Sequence, residues 1–105
     1  MKEYNVKIAD EVYSDIDDAV FYKENLGTYQ TNIDAFLEAV RVEFRRLITS
    51  PKIGAKLSNR IPFETNMQYL LIDDYLLIYE IQADKDVNVY RLLPAKSNWQ
   101  KILFG

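Results

Sequence analysis

The sequence predicts an α+β fold in which one short strand and two helices precede a three-stranded antiparallel meander and a short terminal helix. Three observations carry this. Apolar residues recur at helical spacing through residues 10–50. Three short β-rich runs then follow within forty residues, separated only by acidic turn sequences. The chain of 105 residues supports a single domain, 1–105, with one core.

Residues 4–9 alternate Tyr4, Val6 and Ile8 against Asn5 and Lys7, the period of a half-buried strand. Asp10 offers an N-cap to a first helix, and Glu11 adds a carboxylate to its first turn. Val12, Ile16, Ala19 and Val20 form its apolar stripe. Asp15, Asp17 and Asp18 read as a solvated face, too weak a set to argue a metal site. Gly27 suits the left-handed position that stops such a helix near Asn25 or Leu26.

A second helix is expected to start at Thr31, with Asp34 at capping-box spacing, or at Thr28. Ile33, Phe36, Leu37, Val40, Phe44, Leu47 and Ile48 make a broad apolar stripe, and Pro51 ends it. A connection of a few residues makes the two helices an antiparallel hairpin. Residues 51–66 read as a loop with the best local basic patch, Lys52, Lys56 and Arg60.

Strands are expected at Met67–Ile72, Tyr75–Gln82 and Val87–Leu93, turning at Asp73 and Asp74 and again at Asp84–Asp86. Tyr75, Leu77, Tyr79 and Ile81 share the face assigned to the helices. Leu76, Ile78, Glu80 and Gln82 share the other. Phe36, Val40, Phe44 and Leu47 are expected to be buried against Leu77, Tyr79 and the first strand.

Composition bounds the chemistry. Apolar residues make up 49% and charged residues 28%, as in a globular protein. With neither Cys nor His, disulfides, His/Cys zinc sites and Ser-His or Cys-His catalysis are excluded. No residue set argues a metal or any cofactor. No apolar run is long enough to span a membrane, and the N-terminal residues lack a signal-peptide pattern, so the cytoplasm is the expected location. The net charge of −3 argues against nucleic-acid binding, which relies on basic contacts to phosphate.

The element order, with Arg91, Leu92 and Leu93 closing the last strand and Asn98 and Trp99 after it, resembles the RelE/ParE superfamily of toxins from type II toxin–antitoxin pairs. That resemblance implies a helical hairpin on one face of an antiparallel sheet. RelE-like ribonucleases work with basic groups on the open sheet face and around its last strand. Here Leu76 stands where such enzymes carry an Arg, the run Met67–Ile72 has no Lys or Arg, and Pro94 stands where His is frequent. The resemblance therefore points to the ParE side. It implies a protein that poisons DNA gyrase, is neutralised by a cognate antitoxin and lacks a catalytic centre of its own. The alternatives are a ribosome-dependent mRNA endonuclease and a non-toxic interaction module that keeps the fold.

The residues left as catalytic candidates are Lys96, Arg91 and Arg60. Arg91 reads either as a target contact or as a partner of Glu80 on the neighbouring strand. Arg41, Arg45 and Trp99 are the candidates for partner binding. The two arginines also fit a solvated face paired with Glu38, and Trp99 also fits packing of the terminal helix onto the sheet.

Overall fold

The computed structural model describes residues 3–105; Met1 and Lys2, the start of the run read for a signal peptide, lie outside the described residues. The chain runs β1 (Asn5–Ile8), α1 (Asp10–Asn25), α2 (Gln30–Thr49), β2 (Ala55–Lys56), β3 (Met67–Ile72), β4 (Tyr75–Gln82), β5 (Asp86–Pro94) and α3 (Trp99–Phe104). The strands form one sheet in the order β1-β5-β4-β3-β2.

The meander β3-β4-β5 is antiparallel, as expected. Asp73 and Ala83 take left-handed backbone angles, φ 52° and 50°, at its two turns. β1, however, joins parallel to β5, from Asn5 beside Asp86 to Ile8 beside Val89. Two helices separate β1 from the meander, so no hairpin dictates its direction and a parallel pairing is accessible. The 51–66 segment is also more ordered than a loop. Ala55 and Lys56 pair with Tyr69 and Gln68, between 3-10 turns at Pro51–Ile53 and Leu57–Asn59.

Both helix starts differ from expectation. Ala9, not Asp10, is the N-cap of α1, with no side-chain cap. The Ala9 amide donates to the Val89 carbonyl at 3.0 Å as β1 leaves the sheet, which places Asp10 inside the first turn. There its carboxylate complements the helix dipole instead. α2 begins at Gln30 with Tyr29 as N-cap, so neither Thr28 nor Thr31 caps it. Thr28 is already committed. Its amide donates to the Lys23 carbonyl and that of Gly27 to Glu24, the double closure of a Schellman motif with Gly27 at φ 76°.

The core lies between the helical hairpin and one sheet face. Val12, Ala19, Phe36, Val40 and Leu47 pack there with Tyr75, Leu77, Tyr79, Val87, Val89 and Leu92. The face assignment of β4 holds, and Phe36 and Tyr75 meet at a ring-centroid distance of 5.2 Å. Phe44 is only partly buried at the edge of this core. The opposite sheet face is also covered. Leu57, Ile61, Leu76, Ile78, Leu93 and Trp99 form a second buried cluster beneath the 57–66 segment and α3. No helix among the described residues is long and apolar enough to cross a membrane.

Candidate functional site

A β-bulge sets the geometry at the end of β5. Val89 stands opposite Tyr79 and Arg91 opposite Ile78, so Tyr90 is an extra residue. The bulge reverses the alternation of side chains: Val87 and Val89 face the helices before it, and Leu92 faces them after it. The pairing with β1 stops at Val89, which leaves the outer edge of β5 unpaired from this point.

Asp15 closes that edge. Its Oδ2 accepts the Leu92 amide at 2.9 Å, while Arg91 donates to both carboxylate oxygens, through Nε and Nη2, at 2.8 Å each. The Asp15 side chain is 6% exposed and that of Arg91 27%. Hydrogen bonding to Asp15 raises the Arg91 guanidinium above its already high value, so the guanidinium stays charged at every accessible pH. Two expectations are corrected here. Asp15 is buried rather than solvated, and Arg91 pairs with Asp15 rather than with Glu80. Glu80 instead accepts from Tyr90 at 2.7 Å. The burial of Asp15 has a signal in the sequence: it falls at helical spacing between Val12 and Ala19, the two buried positions of the α1 stripe.

Beside the ion pair lies an open groove of about 780 Å³, bounded by α1, the β3–β4 turn, the end of β5 and the residues leading into α3. Arg91 and Lys96 both line it. The Lys96 segment is held in place: Ala95 donates to the Asp74 carbonyl at 2.7 Å, and the Ser97 hydroxyl donates to the Pro94 carbonyl at 2.6 Å. Lys23, which sequence reasoning passed over, enters from α1 with its ammonium 4.7 Å from the Phe36 ring centroid and 5.6 Å from that of Tyr75. Asp18 and Asp74 add carboxylates to the walls, so the groove is mixed in charge.

The other named residues lie elsewhere. Arg60 stacks over the Tyr69 ring at 4.8 Å and does not line the groove. Arg41 and Arg45 project from α2 and share Glu38, at 2.6 and 3.4 Å. Trp99 is 5% exposed, packed in the second cluster, so it holds α3 against the sheet. Leu76 is fully buried in the same cluster. Among the described residues no group of three or more acidic side chains is placed to hold a metal ion.

The architecture is that of a RelE/ParE-superfamily toxin: a helical hairpin on a mostly antiparallel sheet, closed by a short C-terminal helix. A family model described as the ParE toxin of type II toxin-antitoxin system, parDE, matches residues 6–99, and the chain belongs to that family. Among solved structures it is similar to a chain of the chromosomal ParDE TA system from P. aeruginosa. The TM-score is 0.67 at 13% identity, over 87% of this chain and 95% of that one. At that identity the likeness concerns the fold. No curated protein matches the sequence.

Proposed function

We propose that this chain is a toxin that arrests growth by inhibiting DNA gyrase and is neutralised in the cytoplasm by a cognate antitoxin. The observation that carries the choice against messenger cleavage is the second apolar cluster. On the sheet face where RelE-like nucleases are expected to carry their basic groups, Leu76, Ile78, Leu93 and Trp99 are buried together. Cleavage of a phosphodiester without a metal needs a base, an acid and stabilisation of the developing charge. Arg91 is committed to Asp15, and Arg60 does not line the Arg91–Lys96 groove. That leaves Lys96, since Lys23 is held over the Phe36 and Tyr75 rings.

In this reading Arg41 and Arg45, exposed on α2, supply contacts to an acidic segment of the antitoxin. Trp99 contributes by fixing α3 in place. Expression without antitoxin tests the reading through two measurements, plasmid topology and messenger integrity. Inhibited supercoiling with intact messengers is expected. Cleaved messengers with normal topology would overturn it, and Lys96→Ala would then test the remaining basic group. No effect on either would favour an inert interaction module. Co-expression with the product of a neighbouring antitoxin gene is expected to give a stable complex.

A further inference from the structure

We infer that the outward face of α1 is a docking surface for a cationic amphipathic helix of another protein. This surface is separate from Arg41 and Arg45 on α2, and the inference does not depend on which target the toxin inhibits.

The buried side of α1 is built from Val12, Asp15 and Ala19. On the opposite side, Asp10, Tyr13, Asp17, Phe21 and Glu24 follow one another at intervals of three or four residues, all exposed. At 1.5 Å per residue this stripe is about 21 Å long, roughly four turns of helix. It alternates carboxylates with aromatic rings. Tyr13 is 52% exposed and Phe21 65%. None of the ion pairs among the described residues involves Asp10, Asp17 or Glu24. Exposed aromatic residues in a row mark interaction surfaces, where rings of this kind supply most of the binding energy.

The charge selects the occupant. Three carboxylates flanking the rings repel the phosphates of a nucleic acid and the anionic headgroups of a membrane. They also repel the same stripe on a second copy of this chain. A helix carrying Lys or Arg at spacings of three or four, with apolar residues between them, matches both components. Its cations meet the Asp and Glu side chains, and its apolar residues cover Tyr13 and Phe21. The straight face of an α-helix suits a second helix laid along it.

The test uses the full chain, a labelled single-stranded oligonucleotide and three labelled synthetic peptides, followed by fluorescence anisotropy. One is an amphipathic Lys/Leu helix of about five turns. The second has the same composition with its order scrambled to remove the stripe. The third has Glu in place of Lys. Only the first is expected to bind. Phe21→Ala and Asp17→Lys should each weaken it about tenfold or more, and Glu64→Ala, at an exposed position of the 57–66 segment, should leave it unchanged. Phe21 and Asp17 are exposed, so unchanged circular dichroism and melting of these variants keep the reading clean. Equal binding of the scrambled peptide would mean charge attraction without a docked helix. Binding indifferent to Phe21→Ala would place the site elsewhere. Tighter binding of the acidic peptide or of a single-stranded oligonucleotide would reverse the assigned partner chemistry. Each of these results would overturn the inference.

Discussion

Asp15 on α1 holds Arg91 on β5 across 76 positions of sequence, with both guanidinium bonds at 2.8 Å and the Leu92 amide as a third donor. One carboxylate thus joins the helical hairpin to the sheet, covers the edge that β1 leaves open, and orients a groove-lining cation. The bulge at Tyr90 makes this possible, because it changes the alternation of side chains where β1 ends.

Asp15→Ala leaves a largely buried guanidinium without its partner and the Leu92 amide without an acceptor. A loss of about 3–5 kcal/mol is expected, since removing one member of a buried pair strands the other. Arg91→Lys should cost less but still destabilise, because an ammonium cannot make the two-pronged contact. Urea unfolding of the three proteins measures both. An Asp15→Ala loss below about 1 kcal/mol would show the pair to be dispensable.

Tyr79 and Gly54 form a second lock. The Tyr79 hydroxyl accepts the Gly54 amide at 3.0 Å and donates to the Pro51 carbonyl at 2.5 Å. A Cβ on Gly54 would stand 2.1 Å from that hydroxyl and 2.9 Å from the Tyr69 carbonyl. Gly54→Ala is expected to cost about 1–3 kcal/mol through overpacking. Tyr79→Phe should cost about 1–3 kcal/mol by stranding buried polar groups. The double variant should lose less than the sum, because the oxygen that clashes is gone. Strict additivity would rule out the contact as the cause.

Burial raises the Tyr79 hydroxyl above its ordinary value near 10, and burial likewise raises Tyr75 and Tyr90, with the Glu80 charge adding to the last. Unfolded tyrosines release protons first, so the native state binds more protons above pH ~10 and stability falls as pH rises. Stability from this source is complete below about pH 10 and is lost as pH climbs through the raised values. Unfolding free energies measured from pH 8 to 11.5 should show this slope, and Tyr79→Phe should flatten it.

Phe36 is 1% exposed at the centre of the core, whereas Phe44 is only partly buried. Phe36→Ala should cost about 3–5 kcal/mol and Phe44→Ala clearly less. Equal losses in chemical denaturation would mean that the edge of the core near Phe44 is tighter than its exposure indicates.

Local patterns made much of this fold legible. The stripe from Ile33 to Ile48 marked α2, and Pro51 marked its end within two residues. The run from Tyr75 to Gln82 matched β4 and the face it turns to the helices. Lys96 and Arg91 were both named from the family resemblance, and both line the groove. These features depend on neighbours three or four positions away on a helix, or two on a strand, so periodicity records them.

The features that tertiary structure alone decided depend on distant residues. The parallel pairing of β1 with β5 joins Asn5 to Asp86, and no turn between them sets a direction. β2 is two residues long, too short to leave a repeat, and exists because Gln68 and Tyr69 offer it an edge. Helical spacing puts Asp15 on the buried side of α1, but its ion-pair partner Arg91 comes from a distant strand. A carboxylate is solvated or buried according to whether a partner replaces its water, and that partner lies on another element.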